Sequence, residues 1–599
     1  MTGDAPRVLP DTEVGRNVWE TRYRAAGKDD RDLCATWRRV AHALAGAETH
    51  DRERWERRFL AALTDHRFLP GGRILAGAGT GARVTLFNCF VMGRIDDSLP
   101  GIFDALKEGA RTMQQGGGVG CDFSTLRPRG SKAHASGATA SGPVSFMHLW
   151  DSMCATIQST GARRGAMMGT LRCDHPDIEE FIDAKRDPLA LRRFNLSVLV
   201  TDALMAAVAA DAQWPLVFPA DRRDGAAVET VERQWPGATG ARRCRVHRTL
   251  PARALWERIM RAAYDSAEPG VLFIDRVVRL NNLSYCEDIV ATNPCGEIPL
   301  PAYGACDLGS VNLTRFVREP FGEQASLDLA GIAATAAVGV RMLDNVYEAS
   351  RFPLRRQAAV ARASRRLGLG FTGLADALIM LGLRYDSAAA VAVAGDVMRT
   401  ICLAAYRASI ALAREKGPFP QFDADAFAQS GFVGGLPADI VRAIRRHGIR
   451  NSHLTAIAPT GTISLLADNV SSGLEPVYAF TARRTILAAS GAPATFTVDD
   501  YAYRLFRRQF GDAAPLPPAF VASAQVPPPA QLALQAALQP YVDNAIAKTV
   551  NVPAGCTFTD FRAVYEEAFR LGLNGCTAFR PNPLTGAVLT AAEPAASGS

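Results

Sequence analysis

The chain has 599 residues, 48% of them hydrophobic and 21% charged, which excludes a single small core and excludes global disorder. A formal net charge of +7 is slight for this length; it is no footprint for nucleic acid, though it suits a small anionic ligand. No run of eighteen apolar residues occurs, and Met1–Val14 is polar, so neither a membrane span nor a secretory leader is expected and the protein should work in the cytoplasm.

Taken in chain order, residues 17–65 read as helical, with Trp37, Val40, Ala41 and Leu44 forming an apolar stripe. Residues 1–66 are expected to be a helical N-terminal segment. From Phe68 to Gly142 the chain is dense in glycine, notably Gly71-Gly72 and Gly116-Gly117-Gly118, which marks tight turns and close backbone approach to a ligand or another element. A helix is expected over Val144–Thr156, then a loop through Arg163 and Arg164. Short apolar strand candidates at 195–200, 289–292 and 454–458 alternate with amphipathic helices at 253–267 and 327–347, the pattern of an α/β core. Six prolines between Pro515 and Gln531 predict an extended surface loop. Residues 586–599 are mostly small and are expected to be a disordered tail.

Twelve cysteines with no CxxC pair exclude a zinc ribbon and a simple dithiol motif. One of them stands out by its setting. In Asn293-Pro294-Cys295-Gly296-Glu297 the proline disfavours helix and the glycine permits a tight turn, so Cys295 should project from a loop. Its thiol then has a carboxylate two residues after it and an amide two residues before. Cys306 follows eleven residues on, in Ala305-Cys306-Asp307-Leu308-Gly309, and Cys89 lies upstream in Leu86-Phe87-Asn88-Cys89-Phe90. One thiol on a loop and two in strand-like settings suit a thiyl-radical reduction that ends in a disulfide. His175 and His453 have no clustered partners and are read as structural, so no protein-borne metal site is expected.

The Asn293–Glu297 pentapeptide resembles the active-site loop of adenosylcobalamin-dependent (class II) ribonucleotide reductases. Leu69–Arg73, Gly116–Gly120, His175–Phe181, Ala458–Ser464 and Tyr541–Asn544 are similar to their segments in the same order. This resemblance implies a ten-stranded α/β barrel over residues 67–585, made of two five-stranded parallel halves set antiparallel. It implies that Cys295 carries the radical that takes the ribose 3′ hydrogen, that Glu297 accepts the 3′-hydroxyl proton and that Asn293 bonds the sugar hydroxyls. Cys89 and Cys306 would supply a proton and two electrons. Asn88, Gly118 and Pro459-Thr460-Gly461-Thr462-Ile463 would bind substrate, the last five its phosphates. Asp97, Ser98, Arg127 and Arg163 would serve a deoxynucleotide effector.

The resemblance also separates the ways of making the radical. The segment after Arg580 has neither the tyrosines of the di-iron type nor the Arg-x-x-Gly-Tyr motif of the glycyl-radical type, which leaves adenosylcobalamin as the expected cofactor. The C-terminal cysteine pair common in relatives is missing, with Cys556 and Cys576 the last cysteines. A separate thioredoxin-like reductant is therefore expected, together with a ribonucleotide substrate, read as a ribonucleoside diphosphate, and a homodimer. The rival readings are a tail-less catalytic subunit of the di-iron type and a nucleotide-binding paralogue that does not turn over.

Overall fold

The computed structural model describes residues 8–25, 27, 30–132, 139–157, 165–221, 228–238, 240–487, 493–581 and 590–591. Arg163 lies outside the described residues, as does the expected tail apart from Thr590 and Ala591, whose backbone pairs with the strand Thr481–Leu487.

The architecture is mixed α/β, built on a ten-stranded sheet. Five strands, Cys89–Val91, Gly118–Asp122, Met167–Arg172, Phe194–Val200 and Gly270–Phe273, run parallel in that order. On one side Cys89–Val91 meets Ala305–Asn312 antiparallel, and that strand pairs in parallel with Leu367–Thr372. On the other side Gly270–Phe273 meets Gly575–Phe579 antiparallel, and that strand pairs in parallel with Thr549–Asn551. Every residue of Ala305–Asn312 is buried, as a strand covered on both faces requires.

The expected strand at 454–458 contributes only two single parallel bridges, Leu369 to Thr455 and Ile457 to Ile546, so the paired strands form an open path and not the continuous ten-stranded barrel ladder. The physical reason is local. The Asp543 carboxylate accepts from the Leu454 N–H at 2.9 Å and the Thr455 N–H at 2.8 Å, taking donors that a ladder would use.

The expected helix over 17–65 is broken into Glu13–Val18, Trp19–Tyr23, Leu33–Ala45 and Arg52–Leu63. Asp32 caps the third of these by accepting from the Ala35 N–H. Buried Glu48, just after it, takes two hydrogen bonds of 2.8 Å from Arg341 of the helix Leu329–Ala349, which ties the N-terminal helices to the sheet's covering layer. Leu329–Ala349 and Ala388–Lys416 are long and apolar enough to cross a membrane by length and composition. They instead pack on each other, and the first carries buried Arg341 and Asp344, both ion-paired. The proline-rich segment is no free loop: Phe520, Val521 and Val526 are buried and a helix starts at Pro528, since proline is tolerated in a first turn.

Candidate active site

The strands Ile289–Thr292 and Pro299–Pro301 form an antiparallel hairpin, with residues 293–298 as its loop. Inside the loop the Ile298 N–H donates to Asn293 Oδ1 at 3.0 Å, the Asn293 N–H to Ile298 O at 3.2 Å, and the Gly296 N–H to Asn293 O at 3.0 Å. Gly296 sits at φ +84°, where a side chain would be strained. From below, Asn195 Nδ2 donates to Pro294 O at 2.7 Å. The hairpin lies directly on the glycines of Gly118–Asp122: a methyl at 118 would stand 3.2 Å from Pro294 Cγ, and one at 120 would press into the Thr292 carbonyl. Small residues on that strand therefore let the loop seat itself, and Cys295 is exposed at its tip.

Cys89 and Cys306 are directly opposite each other where Cys89–Val91 meets Ala305–Asn312. Directly opposed residues on antiparallel strands have Cβ atoms about 4.5–5.5 Å apart, near the separation a disulfide needs; both are reduced thiols here. Asn293 Nδ2 donates to Cys89 Sγ at 3.2 Å, and the Cys89 thiol points to Glu297 Oε1 at 3.9 Å. One amide thus orients a thiol and, through its own oxygen, the loop that carries Cys295. Cys306 is 0% exposed. Burial pushes its thiol well above the ordinary range, helped by the charge of Asp307, and its Sγ lies 3.3 Å from Asp307 O.

A cavity of about 390 Å³ is lined by Cys89, Asn293, Cys295 and Glu297 together with Asn88, Gly118 and Pro459 to Ile463. Cys306, fully buried beside Cys89 on the neighbouring strand, does not line it. Asn88 Oδ1 is buried without a hydrogen-bond partner among the described residues. Thr460 has φ +46°, unusual for a β-branched residue. It is held there because Thr460 Oγ1 lies 2.9 Å from Thr372 Oγ1 and accepts from the Gly473 N–H at 2.9 Å. The helix Gly461–Leu466 starts immediately after, so the N–H groups of its first turn, from 461 to 463, have no intrahelical acceptor and are available at the cavity wall. Arg73 and Arg484 also line this cavity, and nothing in the local pattern around Arg484 singled it out.

A second cavity of about 390 Å³ touches Cys295 from the other side. Gln539, Asn574, Lys548, Glu475 and Cys576 are on its wall. Gln539 Nε2 and Oε1 and Asn574 Oδ1 are buried without partners among the described residues. Gln539, Asn574, Lys548 and Glu475 come from separated parts of the chain and carried no motif that could have identified them.

Asp97, Ser98 and Arg127 come together away from both cavities. Arg127 Nε donates to Asp97 Oδ2 at 2.8 Å and its backbone N–H to Oδ1 at 3.1 Å, while Ser98 caps the helix Leu99–Gln114. Burial raises Asp97 and the Arg127 contacts pull it back. Both singled-out histidines are buried and hydrogen-bonded. His175 Nε2 meets Leu126 O at 2.9 Å and Nδ1 accepts from the Asp177 N–H; the Asn282 N–H meets His453 Nε2 at 3.4 Å. Among the described residues no group of three His, Cys, Asp or Glu side chains could hold a metal ion.

Two family models match the chain: "Ribonucleotide reductase, all-alpha domain" over residues 10–83 and "Ribonucleotide reductase, barrel domain" over residues 87–579. The chain is 37% identical over 577 residues to the vitamin B12-dependent ribonucleoside-diphosphate reductase of Mycobacterium tuberculosis strain CDC 1551, covering 93% of this chain and 77% of the relative. It is 34% identical over 552 residues to the protein of that name from Thermoplasma acidophilum, covering 89% and 66%. With the vitamin B12-dependent ribonucleotide reductase of Streptomyces coelicolor it shares 27% over 640 residues, covering 95% and 62%.

Proposed function

The chain belongs to the ribonucleotide reductase family, and on that premise we propose that it is an adenosylcobalamin-dependent enzyme reducing ribonucleoside diphosphates to 2′-deoxyribonucleotides. The observation that carries this reading is the meeting of Cys89, Asn293, Cys295 and Glu297 on one cavity wall, with Cys306 in register opposite Cys89.

In this reading the Cys295 sulfur, as a thiyl radical, takes the 3′ hydrogen, and Glu297 accepts the 3′-hydroxyl proton. The 2′ oxygen leaves as water on a proton from Cys89, because hydroxide is a poor leaving group and acid and base must act together. Cys89 and Cys306 then supply two electrons and join, and the 3′ hydrogen returns from Cys295. Asn293 holds the Cys89 thiol in place throughout. The first-turn N–H groups at 461–463, with Thr460 as their rigid support, receive substrate phosphate.

Adenosylcobalamin, when bound, supplies a carbon-centred radical from its weak Co–C bond. The second cavity fits a group rich in amides and hydroxyls, since Gln539 offers a buried donor and acceptor and Asn574 a buried acceptor, none of them used within the described protein. Those residues would hold it against Cys295. The bridges at Leu369–Thr455 and Ile457–Ile546 support closure of the sheet into a ten-stranded barrel around the Cys295 loop. We assign the Asp97, Ser98 and Arg127 cluster, with Arg163, to a deoxynucleotide effector, acting in a homodimer. A thioredoxin-like dithiol reopens the disulfide, and twelve reduced thiols suit the reducing cytoplasm.

The test is the purified chain with adenosylcobalamin, dithiothreitol and CDP or CTP. Deoxycytidine diphosphate is expected without a second subunit, and Cys295→Ser is expected to make none while still binding nucleotide. Product from Cys295→Ser, or a requirement for a di-iron subunit, would overturn the assignment.

A further inference from the structure

The cavity that holds the cysteines does not end at the phosphate loop. Gly72, Arg73 and Thr462 line it and also line an adjoining cavity of about 410 Å³, so the two spaces meet at the first turn of Gly461–Leu466. The charges on the joint wall are one-sided. Arg73 and Arg484 line the first space and Arg22 the second, and Glu297, at the cysteine end, is the single acid lining either among the described residues. Arg24, the remaining arginine on this wall, bonds Asp30 O at 3.0 Å through its Nε.

These three cations come from places far apart in the chain. Arg22 belongs to the N-terminal helical turn Trp19–Tyr23, Arg73 to the helix Gly72–Gly77 and Arg484 to the strand Thr481–Leu487. Arg73 is folded flat over Gly116, where a Cβ would stand 2.6 Å from the guanidinium carbon. No described acid forms an ion pair with Arg22 or Arg484. Burial and the charge of Arg22 both pull Arg484 below the ordinary arginine range. Like charges gathered on a half-buried wall repel and lose hydration, and an anion placed among them removes both costs. Guanidinium groups are the side chains best matched to phosphate oxygens.

We propose that Arg22, Arg73 and Arg484 form the site for the terminal phosphate of a ribonucleoside diphosphate, so that the N-terminal helical segment takes part in substrate recognition. The proposal rests on the reductase reading for the identity of the nucleotide. With the ribose at Cys295 and Glu297 and the first phosphate at residues 461–463, the next phosphate falls at the arginines. A nucleoside monophosphate would leave them unused.

Calorimetric titration of the full chain with CMP, CDP and CTP, without cobalamin or turnover, tests this directly. The wild-type protein is expected to bind CDP at least about tenfold more tightly than CMP, the loss of one charge-assisted contact being of that order. Arg484→Gln and Arg22→Gln should each weaken CDP about tenfold and leave CMP unchanged, the unchanged CMP affinity serving as proof of folding. In steady-state assays the same variants should raise KM for CDP and keep kcat, the mark of binding made equally in ground and transition states. Equal losses for CMP and CDP, or no loss for either, would overturn the proposal, as would CTP binding more tightly than CDP through the same arginines. If the arginine-dependent preference for CDP holds while Cys295→Ser still yields deoxynucleotide, the reductase mechanism fails and the phosphate site stands.

Discussion

Gly120→Ala tests whether the seat of the Cys295 loop governs the chemistry. A methyl at 120 would stand 3.0 Å from the Thr292 carbonyl carbon and closer still to its oxygen, whereas ordinary contact begins at 3.4 Å. Both partners are backbone in the strands Gly118–Asp122 and Ile289–Thr292, so no side chain can swing aside, and the hairpin must withdraw by at least about 1 Å, nearer about 1.5 Å for ordinary contact. Asn293 follows Thr292 directly, so the shift passes to the Asn293–Cys89 bond and to Cys295. A misplacement of about 1 Å can cost about 100-fold in rate, and overpacking of this kind costs about 1–3 kcal/mol in stability. The assay is kcat and KM for CDP with adenosylcobalamin and dithiothreitol, beside urea denaturation. We expect kcat to fall about 100-fold in a protein that still unfolds cooperatively. A folded variant with kcat within about twofold of wild type would refute the reasoning that ties rate to loop seating.

Asn293→Ala removes both the donor to Cys89 Sγ and the acceptor for the Ile298 N–H. It should lower activity strongly and stability by about 1–2 kcal/mol; Asn293→Asp should restore the stability alone, and equal recovery of both would contradict the division of labour. A single turnover without external reductant should leave a disulfide between Cys89 and Cys306, read by peptide mapping, and a bond from either to another cysteine would contradict the cross-strand register. Burial pushes His175 down to about 4, so the neutral imidazole contributes fully above the unfolded value of about 6.5. That contribution, up to about 3 kcal/mol, is lost as pH falls toward 4. Burial also lowers His66 and His453, in the same direction. Stability measured by urea from pH 7 to 4 should therefore fall, and His175→Gln should flatten part of the slope; an unchanged slope would remove His175 from the account.

Much of the site was legible before any coordinates because its signals are local. Pro294 and Gly296 dictate a turn from neighbouring backbone sterics alone, and the glycines between 116 and 120 announce a close approach. The mixed α/β class follows from alternating short apolar runs and amphipathic helices, and the helices at 253–267 and 327–347 are found at Ala252–Ser266 and Leu329–Ala349. The proline run misled because its composition says nothing of Phe520 and Val526 finding a core.

What sequence alone determined, then, is the chemistry available at short range: which thiol sits on a turn, which carboxylate and amide flank it, and which segments are helix or strand. Tertiary structure decided what those groups face. It set Cys89 against Cys306 by strand register across 216 intervening residues, buried Cys306 outside the cavity lining, and drew Arg22, Arg73 and Arg484 to one wall. It also turned the Leu454–Thr455 donors to a carboxylate where a continuous strand was expected. The reason is that pairing between distant segments depends on which surfaces the whole chain can bury together, and no short stretch of residues carries that information.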